Sequence, residues 1–121
     1  MKNNNGFTLI EMIGVVTLMV LLSLIAIPIV NTSVNNSKNK AYNILVEKIT
    51  DAAKEYFFEN YYSYENDLET NGYVNITVDE LRISNTLEKD LINPKTNEVI
   101  DGYVTIKIQG TEEYIYEFNL E

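Results

Sequence analysis

Hydrophobic and polar positions follow three different rhythms along this chain. From Met12 to Val30 there are 19 residues without a charge, and Phe7–Ile10 extend the apolar run toward the N-terminus. As a helix rising ~1.5 Å per residue, residues 7–30 would span about 36 Å, enough to cross a hydrocarbon core of ~30 Å. The second rhythm is helical. Leu45, Ile49, Ala52 and Tyr56 recur at i, i+4, i+7 and i+11 with Val46, Ala53 and Phe57 beside them, which predicts an amphipathic helix to about Tyr61. The third alternates. Val104, Ile106 and Ile108 interleave with Thr105 and Lys107, and Tyr114, Tyr116, Phe118 and Leu120 interleave with Ile115, Glu117 and Asn119, predicting two strands joined as a hairpin around Gly110.

The segments between these rhythms are polar. Residues 31–40, NTSVNNSKNK, are mediocre helix formers, so they read either as a weak point in one long helix or as a real break. Residues 61–73 read as an acidic loop. Thr77-Val-Asp-Glu80 matches a capping box ahead of Leu81 and Ile83, so a short helix starts there. Asn93 to Asn97 carry turn chemistry. The fold class that follows is α+β: a long N-terminal helix, transmembrane in its first half and amphipathic in its second, packed on a small C-terminal antiparallel β head. An isolated hairpin is marginal in water, so it is expected to cover the apolar stripe of the 41–61 helix.

Charge and composition narrow the function. The chain has a net charge of −9, and all but one of its basic and one of its acidic residues (Lys2 and Glu11) lie in 31–121. An acidic exterior argues against direct nucleic-acid binding and against charge-driven adhesion to anionic lipid. With no cysteine and no histidine, there are no disulfides, thiolate nucleophiles, His-dependent triads or His-metal sites. No phosphate loop or nucleophile elbow is present, so an enzyme is disfavoured. A cleaved secretory signal fits poorly, because the apolar run is too long, its start holds only Lys2, and no A-x-A-like site follows. Pro28 inside the run would break a soluble helix but is tolerated in a membrane helix.

A short polar leader, Gly6, Phe7, then Thr8-Leu9-Ile10-Glu11 and an unbroken apolar helix together resemble the N-terminus of the type IV pilin and pseudopilin family. The resemblance covers residues 1–30 closely and the remainder only in architecture. It divides the chain into a leader (1–6), a transmembrane or filament-core helix (7–30), a polar break and amphipathic helix (31–61), and a head with a short helix and a β-hairpin (62–121). It implies that Gly6 is the last leader residue, removed by a prepilin peptidase, and that Phe7 becomes the N-methylated mature terminus. Glu11 would be the family's buried carboxylate, and Pro28 stands where many members bend their helix. The implied partners are the peptidase, other pilin subunits in a helical filament, an assembly platform with its ATPase, and the membrane. The implied location is a single-pass precursor with its head outside the cytoplasm, then a cell-surface or periplasmic filament. An uncleaved, signal-anchored binding module is the alternative reading. Many relatives pin the C-terminal region with a disulfide, which this chain cannot form, so the choice among pilus, DNA-uptake and type II secretion roles stays open.

The physics of the motif agrees. A carboxylate at mid-span costs roughly 2.5–3.5 kcal/mol on insertion scales, less near an end. Cleavage would create an amine at Phe7, and a neighbouring subunit's amine could neutralise Glu11; a merely interfacial Glu11 favouring a helix N-terminus is the competing account. Asp67, Glu69, Asn71 and Gly72 echo the start of a calcium loop, but Val78 stands where its bidentate glutamate belongs, and a solvated acidic loop is the plainer reading. No other cofactor is expected. The Asn-x-Ser/Thr patterns at Asn31, Asn35 and Asn75 read as products of Asn-rich composition in a pilin-like chain. Tyr56 is expected in the core, and Tyr61, Tyr62 and Tyr64 on the surface, where an adhesive patch is the second reading.

Overall fold

The computed structural model describes residues 5–121. It is an α+β structure with helix α1 (Leu9–Glu59), helix α2 (Tyr61–Asn71), strand β1 (Tyr73–Thr77), helix α3 (Val78–Ile83) and strands β2 (Gly102–Gln109) and β3 (Glu113–Leu120). The chain divides into two compact units, one ending at Ser37 and the other comprising Lys38–Glu121.

Within Lys38–Glu121 the three strands form an antiparallel sheet in the order β1-β2-β3. Its register sets the core. Val74 pairs with Ile106 and Ile106 with Tyr116, while Ile76 pairs with Val104 and Val104 with Phe118, so these side chains share one face. The head portion of α1 lies on that face through Leu45, Ile49, Ala52, Ala53 and Phe57, all buried in the same cluster. Phe57 is 0% exposed and meets Tyr61, Tyr64 and Tyr114 at ring-centroid distances of 5.7, 6.2 and 5.5 Å. On the opposite face the Thr105 hydroxyl donates to Asn75 Oδ1 at 2.8 Å and accepts from Asn119 Nδ2 at 3.1 Å, tying all three strands together.

The structure decides one open choice and corrects several expectations. Residues 31–40 continue α1 without interruption, the first of the two readings the sequence allowed. Helix nucleation is costly and propagation cheap, and a break would leave unpaired backbone groups at two new ends. A few mediocre helix formers flanked by strong ones do not outweigh that. The helix stops at Glu59, where the Asn60 side-chain amide donates to the Tyr56 carbonyl at 2.9 Å. The expected acidic loop at 61–73 is α2 followed by β1. Tyr61, Tyr64 and Leu68 fall at i, i+3 and i+7, and all pack on the core. Gly72, at φ 76°, closes α2 by donating its N–H to the Leu68 carbonyl at 2.9 Å. The C-terminal hairpin is therefore two strands of a three-stranded sheet, and Tyr61 and Tyr64 are half-buried rather than surface residues; Tyr62 is exposed.

The capping box is present as read. Thr77 Oγ1 accepts from the Glu80 amide, and the Glu80 carboxylate accepts from the Thr77 amide at 2.7 Å. Asn93–Asn97 form the expected turn: Asn93 Oδ1 accepts from the Lys95 amide at 2.9 Å, and Asn97 takes a left-handed φ of 59°. Gly102 cannot be replaced without cost, because a Cβ there would lie 2.2 Å from the Asn119 carbonyl oxygen across the β2–β3 ladder.

Candidate functional site

The site to be tested is the start of α1. Met1–Asn4 of the expected leader lie outside the described residues. Asn5–Thr8 are non-helical, and α1 begins at Leu9, so the Gly6–Phe7 bond precedes the helix. A Cβ placed on Gly6 meets nothing within 4 Å. Phe7 is 87% exposed.

Thr8 and Glu11 cap this helix reciprocally. The Thr8 amide donates to Glu11 Oε2 at 2.8 Å, and the Glu11 amide donates to Thr8 Oγ1 at 3.3 Å. Two otherwise orphaned amides are thereby satisfied, and a carboxylate sits at the positive end of the helix dipole. Thr8 is the residue that sequence reading passed over. Its signal was available, since T-L-I-E carries the same T-x-x-E spacing as the recognised Thr77–Glu80 box.

Beyond Glu11 the side chains form an uncovered apolar surface. Every large hydrophobic residue from Met12 to Val30 is more than half exposed, and Phe7, Glu11, Met12, Val15, Val16 and Met19 line a shallow groove along it. The hydroxyls in this segment are turned inward to the backbone. Thr17 donates to the Ile13 carbonyl at 2.8 Å, Ser23 to Met19 at 2.7 Å and Thr32 to Pro28 at 3.0 Å. That pattern hides polar groups from an apolar medium. Pro28 lies inside α1, where it removes one ladder donor. A surface of this size and composition needs lipid or other apolar helices to cover it. Among the described residues one helix is long and apolar enough to cross a membrane, which is consistent with a membrane-anchored precursor.

Residues 1–27 match the family model described as the prokaryotic N-terminal methylation motif. The chain carries a prepilin-type cleavage and methylation motif. The matched stretch spans the Gly6–Phe7 bond and the Thr8–Glu11 cap and supports a type IV pilin or pseudopilin identity. No curated protein and no solved structure matches the chain.

The other candidate site is not brought together. Asp67, Glu69 and Asn71 lie on α2, where positions two apart point about 200° away from each other, so they do not converge as calcium-loop ligands. Gly72 ends a helix instead of turning a loop. No group of three His, Cys, Asp or Glu residues is placed to hold a metal among the described residues.

Proposed function

We propose that this chain is a structural subunit, a pilin or pseudopilin, of an extracytoplasmic filament of the type IV pilus kind. In this reading a prepilin peptidase cuts after Gly6, Phe7 is N-methylated, and an assembly platform with its ATPase moves the subunit from the membrane into the filament through α1. The observation that carries the reading is an exposed apolar helix that begins at Leu9, two residues beyond Phe7, and holds one carboxylate in its first turn. Exposed, non-helical chain is where proteases act most readily, and Gly6–Phe7 is such a bond.

Glu11 has two successive partners in this scheme. In the precursor it holds the Thr8 amide; after cleavage the Phe7 amine of a neighbouring subunit neutralises it in the filament core. Pro28 bends the helix for packing. The head, Lys38–Glu121, faces water outside the cytoplasm and then lines the filament exterior. The deciding experiment is mass spectrometry and N-terminal sequencing of the chain recovered from membranes and from sheared surface filaments. A mature chain starting at methyl-Phe7 and found in filaments is expected. A chain starting at Met1 and confined to the membrane would instead make it an anchored binding module.

A further inference from the structure

The Asn-Gly pair occurs twice in the chain, as Asn5-Gly6-Phe7 and as Asn71-Gly72-Tyr73. Each is followed by an aromatic residue, so the two have nearly the same local chemistry in different structural settings. In such a pair the glycine nitrogen can attack the side-chain carbon of the preceding asparagine, because no Cβ obstructs its approach. Asparagine counts among the thermolabile residues.

Asn5 and Gly6 are exposed and non-helical, and a Cβ built on Gly6 meets nothing within 4 Å. Asn71 is the last residue of α2, exposed, and its side chain makes no hydrogen bond among the described residues. Its amide group is therefore open to attack. The attacking nitrogen is restrained: the Gly72 N–H donates to the Leu68 carbonyl at 2.9 Å, and Gly72 holds the left-handed conformation that closes the helix. Leu68 is buried and Tyr73 pairs with Lys107, so the Asn71–Gly72 bond is anchored on both sides. Ring closure requires Asn71 to leave the helical backbone and Gly72 to release Leu68, which is a local opening of the last turn of α2.

We infer that Asn71 is a site of spontaneous deamidation in the folded head, at a rate set by opening of the α2 C-terminus. The Gly72 nitrogen bonds to Asn71 Cγ, the Cγ–Nδ2 bond breaks, and ammonia leaves with the Gly72 amide proton. Water then opens the ring at either carbonyl, leaving aspartate or isoaspartate, with no change of oxidation state. Either product adds a negative charge at the negative end of the α2 dipole, on a helix that already carries Glu65, Asp67 and Glu69 and no base. Isoaspartate also inserts a methylene into the backbone between α2 and β1. The modification therefore loosens the cap that restrained it, and it accumulates with the age of the molecule whether or not the chain enters a filament.

Asn5 supplies an internal reference when the full-length chain is produced without a prepilin peptidase and purified in detergent. The folded chain is incubated at mildly alkaline pH, and the peptides containing Asn5 and Asn71 are followed by mass spectrometry that resolves isoaspartate. Asn71 is expected to convert about tenfold more slowly than Asn5 in the folded chain, and at the same rate in strong urea. Thr70→Gly, an exposed substitution that frays the last turn, should raise the Asn71 rate roughly twofold and leave Asn5 unchanged, with the fold checked by circular dichroism. Asn71→Gln should abolish conversion in that peptide. Equal rates at the two sites in the folded chain overturn the inference, as does an Asn71 peptide still intact long after Asn5 has reacted completely. A folded Thr70→Gly chain that converts at the wild-type rate overturns it as well.

Discussion

Thr8 and Glu11 hold each other's backbone amides at the start of α1, with Glu11 Oε2 2.8 Å from the Thr8 nitrogen. Glu11 thus has a structural task in the uncut chain as well as the filament task proposed for it, and the two can be separated. Glutamine serves a capping box nearly as well as glutamate but cannot neutralise an amine. Glu11→Gln should insert and be cut normally, yet be lost from filaments, because a buried amine without its partner costs about 3–5 kcal/mol. Thr8→Ala should weaken the helix start by about 1 kcal/mol and leave filament yield close to wild type. The checks are mature mass in the membrane fraction and subunit abundance in sheared filaments. Equal yields for Glu11→Gln and wild type would reduce Glu11 to a helix cap.

Gly6 gives a cleaner test of processing. A Cβ there meets nothing within 4 Å, so Gly6→Val is expected to leave the fold of the described residues unchanged. Any block in leader removal then reports the peptidase's own requirement for glycine. The variant is expected to stay at precursor mass while still fractionating with membranes. A mature mass equal to wild type would rule out cleavage after Gly6.

What could be read from sequence follows from how each element is signalled. The start of α1 was legible because a membrane-length apolar run with one carboxylate has few interpretations. The head portion of α1 was legible because Leu45, Ile49, Ala52 and Tyr56 keep a helical period, with Phe57 beside them. β1 was not. Its alternation of Val74 and Ile76 occupies only five residues, between a Gly turn and a capping residue, Thr77, that belongs to strand and helix alike. α2 was hidden by composition: three core-facing positions, Tyr61, Tyr64 and Leu68, are scattered among carboxylates and asparagines. The calcium-loop likeness failed for the same reason, since spacing in sequence converges ligands only if the backbone loops. Continuity through 31–40 depends on the flanking helix, which residue propensities do not register.

The whole buried cluster of the head runs from Leu45 to Ile106, inside Lys38–Glu121. A fragment of those residues is expected to fold cooperatively without the apolar half of α1. Phe57 is its most connected aromatic, fully buried beneath Tyr61, Tyr64 and Tyr114. Phe57→Ala should cost about 3–5 kcal/mol, a large share of the stability of a domain this small. Thermal and urea unfolding followed by circular dichroism would show it. A fragment without a cooperative transition, or an alanine variant as stable as wild type, would contradict this account of the core.

The same aromatic cluster makes the head sensitive to alkali. Burial, reinforced by the neighbouring Tyr56 hydroxyl, pushes the Tyr64 pKa well above its ordinary value of 10.0, and burial followed by Tyr114 does the same to Tyr116 in smaller degree. A tyrosine whose pKa is raised on folding holds its proton more tightly in the folded chain than in the unfolded one. Its contribution is complete below about pH 10 and declines as pH rises through and beyond that value, because the unfolded state gains free energy by ionising first. Lysines titrate in the same window, so the informative quantity is a difference between two chains. Tyr64→Phe removes the ionising hydroxyl while keeping the ring that stacks on Phe57 at 6.2 Å. Melting temperatures measured from pH 7 to 11.5 should fall less steeply above pH 10 for Tyr64→Phe than for wild type. Parallel curves would mean that the Tyr64 hydroxyl reaches water in the folded head and that its burial contributes nothing to the alkaline limit.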